Sequence, residues 1–88
     1  MTLNEFNQNL QSYFDNGLQY SERAIRDMKK AHIDEAALKK LLLENVNEII
    51  CDENGFILHI KRASKIYAKT EQGTLFINSI VYNPAFAF

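Results

Sequence analysis

The chain has one cysteine, one proline and three glycines in 88 residues. Each scarcity excludes something. A single thiol, Cys51, cannot form an internal disulfide, so no covalent staple holds the fold, and the expected setting is a reducing compartment, the cytoplasm. So little glycine and proline leaves no room for a long flexible linker. The three glycines, Gly17, Gly55 and Gly73, are too scattered for a phosphate-cradling loop, and each reads as a helix stop or a turn. The opening residues, Met1-Thr2-Leu3-Asn4-Glu5, lack the basic start and apolar run of a signal peptide. No apolar run approaches the ~18 residues needed to span a bilayer.

Charge is also nearly absent in net terms, at −1, with 47% hydrophobic and 24% charged residues. That composition belongs to a folded chain rather than a disordered one. It argues against a nucleic-acid mimic, which needs dense acid, and against a strongly electrostatic nucleic-acid binder. The length suits one domain over residues 1–88.

What is present divides the chain in two. Thr2-Leu3-Asn4-Glu5 fits a capping box, and Leu3, Phe6, Leu10 and Phe14 then recur at helical spacing until Asn16-Gly17 stops the run. Ser21 is a good N-cap for a second helix, with Ala24, Ile25, Met28 and His32 along one side; Ile33-Asp34 breaks it. Asp34 caps a third helix over 35–47, whose stripe is Leu38, Leu41, Leu42, Val46 and Ile49, with Leu43 on the far side.

From residue 48 the period changes to two. Asn54-Gly55 between two apolar runs is the strongest hairpin signal. A two-residue turn at those positions pairs Glu53 with Phe56, Cys51 with Leu58 and Ile49 with Ile60. Residues 65–70 read as a third strand, with Ile66 and Ala68 opposite Tyr67 and Lys69. A fourth strand over 74–82 puts Leu75, Ile77 and Val81 on one face and Phe76, Ile80 and Tyr82 on the other. Asn83-Pro84 ends it, and Ala85-Phe86-Ala87-Phe88 forms an apolar tail over 85–88. The expected fold is α+β: three N-terminal helices over 1–47, then a four-stranded antiparallel sheet of two hairpins over 48–84, in two layers.

No reactive constellation emerges. Cys51 with His59 or His32 is the only thiol–imidazole set, and Asp52 and Glu53 beside the thiol oppose its ionisation. Two soft ligands do not make a zinc site. The reading is therefore non-catalytic, with no cofactor, no metal, no small-molecule ligand and no membrane partner. Surplus apolar residues point to a small protein-binding module of the adaptor, inhibitor or immunity type, homodimeric, with Leu43, Phe76, Ile80, Tyr82, Phe86 and Phe88 as its interface.

The alternative rests on a cluster of cations. Lys61, Arg62, Lys65 and Lys69 surround Tyr67 with no acid among residues 61–69, and cations with an aromatic can grip a phosphate backbone and stack a base. In element order alone, three helices before a hairpin resemble a winged helix-turn-helix. That resemblance implies a nucleic-acid-binding regulator, with the third helix as reader and the basic loop 61–69 as wing.

Overall fold

The computed structural model describes residues 1–60 and 64–81. The order is α1 (Leu3–Asn16), β1 (Gln19–Tyr20), α2 (Glu22–Ala31), α3 (Glu35–Glu44), β2 (Val46–Asp52), β3 (Gly55–Ile60), β4 (Ser64–Glu71) and β5 (Thr74–Val81). The α+β class and the order of helices before sheet are as expected. The sheet differs. It has five strands in the order β1-β5-β4-β3-β2, and it is mixed because β1 runs parallel to β5. A two-residue strand carries no hydrophobic period, so Gln19-Tyr20 gives no sequence signal.

Each helix starts where a side chain satisfies a free backbone N–H. The Thr2 hydroxyl accepts from the Glu5 N–H at 3.1 Å and donates to the Glu5 carboxylate at 3.2 Å, a variant of the capping box that leaves the Thr2 N–H out. Ser21 Oγ accepts from the Ala24 N–H at 3.0 Å, and Asp34 Oδ1 accepts from the Ala37 N–H at 2.8 Å. α1 ends on Gly17, which adopts φ +86°. Beside it the Asn16 amide donates to the Gly73 carbonyl at 2.9 Å and ties the helix to the β4–β5 turn.

Two helix ends correct the sequence reading. α2 closes on His32 in a left-handed conformation, so His32 leaves the apolar side of the helix, and Ile25 is exposed while Ala24 is buried. α3 stops at Glu44 rather than at residue 47, because Asn45, whose N–H makes the last helical bond to the Leu41 carbonyl, takes φ −122° and leaves the helical conformation. Val46 and Ile49 therefore belong to β2. Leu38, Leu41 and Leu42 alone form the buried stripe, and Leu43 points outward with 60% of its surface exposed.

The β2–β3 hairpin forms where Asn54-Gly55 signals it, but one position earlier. Glu53 and Asn54 make the turn, Asp52 pairs with Gly55, and the Asn54 N–H donates to Asp52 Oδ1 at 2.9 Å. The partners are consequently Cys51–Phe56 and Ile49–Leu58, not Cys51–Leu58 and Ile49–Ile60. The slip moves the sum of partner numbers by two, so every side chain keeps its face.

β5 has a larger surprise. Tyr67 pairs with Ser79 and Ala68 with Ile77, which leaves Asn78 as an extra residue, a β-bulge. Beyond it the alternation inverts. Ile80 turns into the core at 7% exposure and Val81 turns out at 45%, the reverse of the expected faces. α2 explains the bulge. It runs along the edge of β5 beyond β1, where Ser21 Oγ donates to the Asn78 carbonyl at 2.5 Å and the Asp27 carboxylate accepts from the Ile80 N–H at 2.9 Å.

The core lies between one face of the sheet and the helices. Phe6, Leu10 and Tyr13 of α1 and the α3 leucines pack over Phe56, Leu58, Ile66, Leu75, Ile77 and Ile80. Phe6 meets Phe56 edge-on at 6.3 Å between centroids. Among the described residues no helix is long and apolar enough to cross a membrane.

Candidate functional site

α1 and α3 cover one face of the sheet and α2 covers an edge of β5, so among the described residues no helix packs across the second face of β2–β5. Strand alternation and the register place its residues in three rows across the strands. One row is Glu48, His59, Lys65 and Val81. The next is Ile50, Ile57, Tyr67 and Ser79. The third is Asp52, Gly55, Lys69 and Phe76. Ile57, His59, Lys65, Tyr67, Lys69 and Phe76 are half-buried by their neighbours, whereas Ile50 is 43% exposed.

The chemistry of this face is an apolar middle with charge at its sides. Acids stand on the outer strand, at Glu48 and Asp52. Cations stand on β4, at Lys65 and Lys69. The Lys69 ammonium lies 5.6 Å above the Phe76 ring and 3.8 Å from the Glu71 carboxylate, so its position is held by two weak contacts. A cavity of about 340 Å³ opens beside Tyr67. Arg23 of α2, Asp52, Asn54 and Ser79 give it polar walls, with Phe56, Ala68 and Asn78 completing the lining.

The sequence-predicted residues separate on this geometry. Lys65, Tyr67 and Lys69 come together, two positions apart on the open face, with Phe76 beside Lys69. Ile80 does not join them, being buried in the core. Leu43 projects from α3, which packs on the opposite side of the sheet. Lys61, Arg62, Tyr82, Phe86 and Phe88 lie outside the described residues.

Sequence reasoning missed Ile50, Ile57 and Val81 as surface apolar groups, and Glu48 and Asp52 as their neighbours. The signal was present for two of them. Both β2 and β3 carry apolar residues on both faces, so Ile50 and Ile57 must stand opposite Ile49 and Leu58. Val81 could not be placed without the bulge.

The thiol–imidazole set does not assemble. Cys51 pairs with Phe56 on the helix-covered side of an exposed edge, while His59 stands on the open face. The Met1 amine donates to Cys51 Sγ at 3.2 Å, and that contact holds the ammonium above its ordinary range. His32 sits on the surface at the C-terminus of α2. Among the described residues no three His, Cys, Asp or Glu side chains group as metal ligands.

No family model matches this chain, and neither a curated protein nor a solved structure matches it.

Proposed function

We propose that this chain is a small non-catalytic protein-binding module, of the adaptor, inhibitor or immunity type, that docks through the open face of β2–β5. One observation carries the reading: among the described residues no helix packs across the face built from Ile50, Ile57, Tyr67, Phe76 and Val81, which α2 only borders through Arg23. Burying apolar area is worth about 25 cal/mol per Å², and a ring of charged residues around an apolar middle is the usual anatomy of a docking patch. The separation of Cys51 from His59 supports the non-catalytic side. We place the protein in the cytoplasm, where the exposed Cys51 thiol stays reduced.

The test is photo-cross-linking in the cells that make the protein. A photoreactive phenylalanine replaces Ile57 at the centre of the face, and a control replaces Gln8, exposed on α1. Protein adducts from position 57 and none from position 8 are expected. No adduct from position 57 refutes docking through this face.

A second reading has its own observation. Lys65, Tyr67 and Lys69 line one strand of the same face, with Phe76 adjacent, which is the arrangement a single-stranded nucleic acid uses for backbone contact and base stacking. Glu48, Asp52 and Glu71 on the same face weigh against it. It predicts binding to a single-stranded oligonucleotide that weakens steeply with salt. Absence of binding at low salt removes it.

A further inference from the structure

We propose that the occupant of the open face is a second copy of this chain, packed sheet to sheet about a two-fold axis that runs along β3. This rests on the reading of that face as a protein-docking surface, and it goes further by naming the partner and the contacts.

The argument is one of symmetry and charge. A two-fold axis lying between two facing sheets and parallel to β3 places β4 of one copy over β2 of the other at the same level along the strands. The register fixes those levels. Glu48, His59 and Lys65 share one row, and Asp52, Gly55 and Lys69 share another. Lys65 therefore meets the second copy's Glu48, and Lys69 meets its Asp52. In the row between, Ile50 meets Tyr67 beside the cavity, and Ile57 meets its own copy on the axis. Two-fold symmetry repeats each ion pair, which gives four around an apolar middle. Packed sheets are rotated by about 30° from parallel, an offset that long Lys and Glu side chains span.

The other symmetric arrangements fail on the same charges. A two-fold axis across the strands opposes Lys65 to Lys69 and Glu48 to Asp52. An axis midway between β3 and β4 opposes Glu48 to Val81 and Asp52 to Phe76, and so wastes both acids. Pairing two β2 edges about Ile50 sets Glu48 directly against Asp52, and the register break between Val46 and Glu48 interrupts the edge. Of these four arrangements, the axis along β3 alone sets both Lys65 and Lys69 against acids.

Three strands about 4.8 Å apart and five residues long make a small face, so the dimer belongs to the weak, micromolar class. The experiment is sedimentation equilibrium of the purified 88-residue chain over about 1–500 μM, a range suited to a small interface. Three samples are compared: the wild type, the Lys65→Glu/Lys69→Glu variant, and the Glu48→Lys/Asp52→Lys variant. The wild-type mass is expected to rise from 10.2 kDa toward twice that value with concentration. Each variant alone turns four attractions into four repulsions and is expected to weaken pairing about 10- to 1000-fold. An equimolar mixture of the two variants is expected to pair again, which also shows that both are folded.

A wild type that stays at 10.2 kDa throughout overturns the proposal. So does a mixture that fails to pair, or a variant that pairs as well as the wild type. The two levels fail separately: a monomeric wild type with cross-links from position 57 to a different protein ends self-pairing and leaves docking standing, while no cross-link from position 57 ends docking itself.

Discussion

Replacing Gly55 with alanine tests the tightest place in the sheet. Gly55 adopts φ +149°, and a Cβ built there would lie 2.3 Å from the Ala68 carbonyl oxygen, 2.8 Å from Lys69 Cβ and 3.1 Å from Lys69 Cα. Two of those three atoms are backbone of β4, so no side-chain rotation relieves the contact. Since real Cβ atoms essentially never approach closer than 3.0 Å, β3 and β4 must part by about 0.7 Å. The backbone conformation itself costs a non-glycine residue about 1–3 kcal/mol. Parting the strands weakens one or two ladder hydrogen bonds at about 1 kcal/mol each. Together these give about 2–5 kcal/mol, a large share of the roughly 4–13 kcal/mol that a chain of this length commands.

The right comparison is Gly17→Ala. Gly17 also has positive φ, +86°, but its Cβ would meet nothing within 4 Å, so only the conformational cost of about 1–2 kcal/mol applies. At about 4–8 °C per kcal/mol, Tm read by circular dichroism should fall by about 8–40 °C for Gly55→Ala and by about 4–16 °C for Gly17→Ala. Urea unfolding should rank the two in the same order. If the Gly55 variant is no worse than the Gly17 variant, the close approach of the two strands does not exist.

Three further outcomes follow from the same structure. Asp27→Ala should cost about 1–3 kcal/mol in urea unfolding, because the Ile80 N–H at the β5 edge loses its acceptor; a neutral result would mean that water replaces the carboxylate freely. Leu38→Ala should cost about 2–5 kcal/mol and Leu43→Ala less than about 0.5, since Leu38 is fully buried and Leu43 is exposed, and equal costs would overturn the placement of α3. Burial, then the 2.6 Å hydrogen bond to Glu35, pushes the Tyr20 hydroxyl well above its ordinary value of 10.0. The unfolded chain ionises first as pH rises, so the Tyr20 contribution is complete below pH 10 and is lost progressively above it. The urea midpoint should fall above that pH, and should fall less steeply in Tyr20→Phe; an identical slope in the variant would refute the assignment.

The sequence by itself determined the elements that local interactions dictate. A cap is a contact three residues long, so Thr2, Ser21 and Asp34 start the helices where reading places them. A hairpin closes over two residues, so Asn54-Gly55 announces the β2–β3 turn even though the turn settles one position earlier. Alternation then carries Lys65, Tyr67 and Lys69 onto a common side. Tertiary structure decided what depends on groups far apart in the chain. The bulge at Asn78 arises because Ser21 and Asp27, more than fifty residues away, bond to β5, and it sends Ile80 into the core and Val81 out. β1 exists only because β5 offers it an edge. The open face is of the same kind: Glu48, Ile57 and Lys65 are unrelated along the chain, and the register of three strands makes them neighbours.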